Sequence, residues 1–286
     1  MKKYFLPVSV IFIILSACEP ALETPEQEIV FKIGQDLKYK YSDIQLYDSS
    51  THIFYFKEGH TEFDRISQSP FNLFADGNEV YSGSFWPAFL NSLPSGPFIS
   101  SPSLYPNFAL RVEYRNNGNP DLRNDPQLIQ SLKSRGLLHS GLSVLIDSLV
   151  INGTSLSFIF TVSNHDLSDL LIINPDKTGP NLFHYFTNGL IIYNLNYNTV
   201  FSSNIEFETP TPWNGWKIEW LSIIKSGESR HFTINYTITT PIDPGEYNAF
   251  FVYPGLEFQI KKEELLQDSG RIWLGNIQTT KNITIQ

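Results

Sequence analysis

From residue 141 onward, apolar residues fall on alternate positions in one short run after another, the period of a strand with one buried face. The runs 143–151, 155–163, 170–173, 182–186, 190–193, 217–223, 231–238, 247–252 and 276–285 each predict a strand. Asn152-Gly153, Asn188-Gly189, Ser226-Gly227 and Pro244-Gly245 lie between them, and each supplies a glycine where a tight turn needs one. Strands at this spacing predict a two-sheet antiparallel sandwich of immunoglobulin-like type over 141–286. A short insertion at 261–267 predicts one helical turn before the last strand.

The stretch 29–140 mixes its signals. Ile44-Gln45-Leu46-Tyr47, the aromatic run Ile53-Phe54-Tyr55-Phe56, and Val80-Tyr81-Ser82-Gly83 after Asp76-Gly77-Asn78 predict strands, as does 109–114. Between these, 93–106 carries four prolines, which cannot donate to a sheet ladder, and predicts a loop. One helix stands out near 126–135. Asp125 can cap it, Pro126 suits its first position, and Leu128, Ile129 and Leu132 share a face. Lys133 and Arg135 complement its end before Gly136. The expected class is mainly β, with a small α+β region at 29–140 ahead of the sandwich.

Residues 1–28 follow neither pattern. Lys2 and Lys3 precede an apolar run from Tyr4 to Leu15 that is too short to span a bilayer, and Leu15-Ser16-Ala17-Cys18 ends at the chain's single cysteine. This resembles the lipobox of bacterial lipoproteins. The resemblance implies a signal peptide over 1–17, lipidation of Cys18, and a location in the bacterial cell envelope, at the outer membrane, through a lipid anchor. Residues 18–28, rich in glutamate and proline with few apolar groups, predict a tether.

Charge narrows the partners. Without residues 1–17, 18 Lys+Arg remain against 29 Asp+Glu, a net charge of −11, which excludes nucleic acid and anionic surfaces as expected partners. With Cys18 carrying lipid, no cysteine is left for a disulfide, a thiolate metal site or a catalytic thiol. The expected partners are an envelope protein or a glycan, and no cofactor is expected.

Between 155 and 252 four segments occur in order: Phe160-Thr161-Val162-Ser163-Asn164, Phe183 through Asn188-Gly189, Lys225-Ser226-Gly227-Glu228, and Pro244-Gly245-Glu246-Tyr247. In this the chain resembles the intracellular-proteinase-inhibitor (BsuPI-like) β-sandwiches. The resemblance implies fold only, because no matching reactive loop is present; 93–106 is the one protruding candidate.

No motif announces catalysis: Gly-x-Ser-x-Gly and His-Glu-x-x-His are absent, and the six histidines are scattered without ligand spacing. The chain is therefore read as a non-enzyme. Asn117, Asn119, Asp121, Arg123 and Asp125 superficially resemble a calcium loop, but Arg123 sits inside it and no closing glutamate follows. Glu206 and Glu208 would share one face of a strand. Asp147-Ser148-Leu149 matches a short O-glycosylation sequon. The most suggestive group is Trp213, Trp216 and Trp220 after Thr209-Pro210-Thr211-Pro212, since flat indoles on a loop suit a carbohydrate or peptide. The plainer account puts Trp216 and Trp220 inward with Ile218 on a strand, leaving Trp213 at the surface. Trp86 carries the same ambiguity. The function expected is a membrane-anchored, non-catalytic binding or assembly module. One alternative is a carbohydrate-binding accessory lipoprotein using Trp213, Trp216 and Trp86. The other is a hydrolase drawing on distant residues such as Asp121, Asp125 and His139.

Overall fold

The computed structural model describes residues 26–64, 69–90, 92, 94–115, 118, 120–203, 208–257 and 260–285. Cys18 and the lipobox lie outside these residues. Of the expected tether, Glu26–Glu28 forms a 3-10 turn.

The protein is mainly β, as its sequence pattern predicts, with two α-helices among the described residues. In the first part, one sheet has the order Leu37–Lys40, Ile29–Ile33, Pro70–Ala75, Asn78–Pro87, Gly96–Ser101, Glu113–Arg115. A second has the order Leu138–His139, Ile44–Asp48, Ile53–Phe56, Ala109–Arg111. The sheets meet over an aromatic core in which Phe31 stacks on Phe71 at 5.2 Å and meets Phe54 edge-on at 6.1 Å. Helix α1, Pro126–Ser134, adds Leu128 and Leu132 to that core. The cap read from the sequence is present: the Asp125 carboxylate accepts from the backbone N–H of Gln127 at 2.8 Å.

In the second part, a three-stranded sheet of Leu142–Asn152, Ser155–Asn164 and Ser229–Thr237 faces a four-stranded one. The latter runs Thr199–Ser202, Leu190–Asn194, Gly245–Pro254, Asn276–Ile285. Phe158 and Phe160 from the first sheet contact Phe251 from the second at 4.7 and 4.8 Å, so the two sheets share one core. A further sheet of Leu221–Ile224, Leu170–Ile173, Gly270–Ile272 and Leu266–Gln267 extends it. Pairing in the second part is not purely antiparallel as expected, since Leu170–Ile173 runs parallel to Gly270–Ile272; in the first part Asn78–Pro87 runs parallel to Gly96–Ser101.

Three expectations need correction. Residues 182–186 are not a strand; 182–185 belong to helix α2, Pro175–Tyr185, and Phe186 is its C-cap. Asn174 caps it by accepting from Asp176 N–H, Pro175 occupies its first position, and Leu182, Phe183 and His184 are all buried, a run that alternation alone misreads. Residues 217–223 do not start as a strand: Ile218–Trp220 is a 3-10 turn and the strand is Leu221–Ile224. The proline-rich 93–106 stretch contains the strand Gly96–Ser101. Pro97 is tolerated because pairing with Asn78–Pro87 starts only at Phe98, so no ladder donor is needed from Pro97 on that side. The predicted 109–114 strand is divided at Val112 between the two sheets of the first part. The helical turn expected in the 261–267 insertion is the 3-10 turn Lys262–Glu264.

The two parts are joined through buried charge. Arg271, 3% exposed, donates to the Asp48 carboxylate at 2.9 Å and to the Asp166 carboxylate at 3.2 Å. Asp48 also accepts from the backbone and hydroxyl of Ser50, and Asp166 pairs with His139 at 2.8 Å. Gly141 passes against this cluster with φ 62°; a Cβ there would lie 2.3 Å from Asp48 Oδ1. Removing one member of a buried ionic group strands its partners at a cost of about 3–5 kcal/mol. Arg271→Met is therefore expected to lower the unfolding free energy by about that much in urea titrations. Adding Asp48→Asn should restore part of the loss, because one of the two stranded carboxylates becomes neutral.

Candidate functional site

The sandwich is closed along one side and open along the other. On the closed side, Lys281 in Asn276–Ile285 donates its ammonium to the carbonyls of Ile146 and Asp147 in Leu142–Asn152. On the open side lie the edge strands Thr199–Ser202 and Ser229–Thr237, with α2 beside them. The helix is interrupted at Gly179 (φ 71°) and resumes at Pro180. Its last turn presses His184 against Tyr236, ring centroids 5.6 Å apart.

Two clefts result. One of about 720 Å³ is lined by residues that include Tyr185, Phe186, Thr187, Asn188, Ser203 and Gln278. The other, about 550 Å³, lies between Val200–Ser203 and Asn235–Thr240. Ser202 and Ser203 line both, so the clefts adjoin there. Each volume falls within the roughly 300–1,000 Å³ usual for small-molecule sites. Among the described lining residues none is Asp, Glu, Lys or Arg.

Behind this lining the packing is tight. A Cβ on Gly189 (φ 69°) would fall 2.0 Å from Ser203 Oγ and 2.2 Å from His184 Cε1, so only glycine lets the 188–190 segment lie there. The Thr187 hydroxyl donates to the Val252 carbonyl and accepts from Gly189 N–H, while Ser203 donates to the Asn188 carbonyl. His184 Nε2 is buried without a hydrogen-bond partner. The Tyr236 hydroxyl lies near Ser203 and the Leu190 backbone without a bond of regular geometry to either. A buried polar atom left in this state costs about 1–3 kcal/mol. Burial lowers the His184 pKa to about 4, so the imidazole is neutral at pH 7, and burial raises that of Tyr236.

The tryptophans divide. Trp213 is 60% exposed, and its carbonyl accepts the Tyr185 hydroxyl at 2.7 Å, which places the indole-bearing loop beside the larger cleft. Trp216 is partly buried against the sandwich core. Trp220 meets Phe186 at 6.0 Å and lies under the Lys217 ammonium. Trp86 sits in the first part of the chain, in Asn78–Pro87, where its indole N–H donates to the Ser92 carbonyl at 2.7 Å; it is not brought to the cleft.

Other expected constellations are dispersed. Asp121 caps a 3-10 turn and pairs with Arg123, which supplies its cation; Asp125 caps α1; His139 pairs with Asp166. Asn117, Asn119 and Glu206 lie outside the described residues, and Glu208 is not on a strand; its N–H donates to the Asn181 carbonyl. Asp147 stands at a bulge in its strand and accepts from the Thr161 hydroxyl at 2.6 Å. Sequence reasoning passed over His184, Ser203 and Tyr236. The one local signal was the crowding of His184 into the apolar stretch Leu182–Phe186 just before Asn188-Gly189.

The neutral His184 sets a pH dependence. In the folded protein it takes up a proton near pH 4, whereas in the unfolded chain it does so near 6.5. Its contribution to stability is complete above about pH 6.5 and is lost as the pH falls toward 4. Burial and the nearby Arg123 lower His52 to about 3, with the same sign. Denaturant midpoints are expected to drop between these limits, and the drop should be shallower in His184→Asn, which cannot titrate.

No family model matches the chain, and no curated protein matches it. Among solved structures, the X-ray structure of Northeast Structural Genomics Consortium target SoR45 is similar over 49% of this chain and 81% of that one, at 14% identity and a TM-score of 0.21. A likeness so slight carries no argument about function.

Proposed function

We propose that this chain is a bacterial envelope lipoprotein, anchored through Cys18, that acts as a non-catalytic binding or assembly module. The anchoring rests on Lys2, Lys3, the apolar run and Leu15-Ser16-Ala17-Cys18. Among the described residues no helix is long and apolar enough to cross a membrane. The observation that carries the binding role is the pair of adjoining clefts about the edge strand Thr199–Ser202. They are wide, none of their described lining residues is Asp, Glu, Lys or Arg, and Tyr185 in the larger one bonds the backbone of the loop that carries the exposed Trp213. The described walls offer hydroxyls, amides, aromatic rings and the single imidazole of His184, groups suited to holding a neutral ligand.

A second reading is favoured by the Tyr185–Trp213 bond: a carbohydrate-binding accessory lipoprotein that stacks a sugar on Trp213. Cys18→Ala is expected to move the protein from the membrane to the soluble fraction and abolish incorporation of labelled fatty acid; retention in the membrane would refute the anchor. Purification of the lipidated protein from its native envelope in mild detergent is expected to recover a stoichiometric partner protein if it is an assembly module. For the second reading, glycan-array binding that Trp213→Ala removes is the expected result.

A further inference from the structure

We infer that the cleft is built for an uncharged oligosaccharide that runs over Ser202 and Ser203 from one lobe into the other; this rests on the carbohydrate reading above. In a chain with 20 Lys+Arg and 29 Asp+Glu, neither lobe has a described lining residue from either group. A ligand bearing a carboxylate, sulfate or phosphate would lose water there and find no counter-charge among the described lining residues, as would a cation. What the walls do present are exposed groups that both donate and accept: the hydroxyls of Ser202 and Thr240 and the amides of Asn188 and Gln278. A sugar hydroxyl has the same dual character, so each such pair can form in either sense.

The apolar side of the match is also present. Tyr185 and Phe186 stand at the rim with rings 5.1 Å apart, and the Tyr185 hydroxyl ties this rim to the Trp213 loop. A pyranose has an apolar face of C–H groups and an equatorial belt of hydroxyls, which suits aromatic rings on one side and hydroxyl and amide groups on the other. The clefts adjoin at Ser202 and Ser203, and with volumes of about 720 and 550 Å³ the pair has room for a chain of rings rather than one. Ser202 is exposed at the junction and Thr240 is exposed in the smaller lobe, so both can be changed without disturbing the core.

The test is calorimetry and array binding of the full-length protein with neutral oligosaccharides, the matching monosaccharides, and uronic-acid or sulfated counterparts. Neutral oligosaccharides are expected to bind, with monosaccharides and acidic counterparts weaker by roughly tenfold or more. Ser202→Asp and Thr240→Asp should each weaken oligosaccharide binding by a similar factor while thermal unfolding stays as in the parent protein. If acidic glycans bind equally well, or if both aspartate variants bind as the parent does while Trp213→Ala abolishes binding, this assignment fails and the carbohydrate reading stands. If no glycan of any class binds the folded parent protein, both fail.

Discussion

The two halves of this molecule are held in register by one guanidinium. Arg271 enters from the second half and bridges Asp48 of the first half to Asp166 of its own. All three are removed from water, and a buried ionic group is tolerable only when each charge is matched and the remaining lone pairs are satisfied. Here Ser50 covers one oxygen of Asp48, and His139 and Ser168 cover Asp166. Burial alone would raise the Asp166 pKa, yet the His139 hydrogen bond and the charges of His139 and Arg271 hold it well below the usual carboxylate range. Such a group adds little net stability over an apolar replacement, but it penalises every arrangement in which one half slides against the other.

Geometry around that bridge follows from the period of a strand. Ile53–Phe56 is buried on both faces: Phe54 and Phe56 point into the aromatic core of the first half, while Ile53 and Tyr55 join the core shared with the sandwich. A one-residue slip would exchange the two sets. Arg271 fixes the strand's partner at this wall, lying over the Tyr55 ring and donating to its hydroxyl. Nearby, Trp273 donates toward Ser50 and Lys262 to the Phe56 carbonyl, so the same wall is pinned from three positions of the second half.

Much of this was legible from pattern. Alternation gave Leu142–Asn152, Ser155–Asn164 and Asn276–Ile285 nearly to the residue, because each turns one set of apolar side chains to the core and has a glycine or asparagine turn. The run Ile53–Phe56 was visible as a strand, but its double burial was not, since an unbroken apolar run looks alike whether it faces one core or two. Alternation failed at α2, where Leu182, Phe183 and His184 are buried in succession, and at Ile218–Trp220, where a tight turn precedes the strand. Gly96–Ser101 was hidden by its prolines. The cleft was invisible for a different reason: Tyr185, Ser203 and Tyr236 lie on separate elements, and only the fold places them side by side.

The open side of the sandwich is itself a consequence of connectivity. Ser229–Thr237 buries Phe232, Ile234 and Tyr236 and turns Thr233, Asn235 and Thr237 outward, leaving a long edge without lysine or proline from Phe232 to Thr240. Edges of that kind pair with other strands unless something covers them. Here the cover is α2, which spans the gap because the chain must travel from Leu170–Ile173 in one sheet to Leu190–Asn194 in another. The break at Gly179 and Pro180 divides the helix, so its final turn seats His184 on Tyr236 while the remainder of the gap stays unfilled. The smaller cleft is thus the space left by a connection that protects a strand edge incompletely, between the edge strands Thr199–Ser202 and Ser229–Thr237.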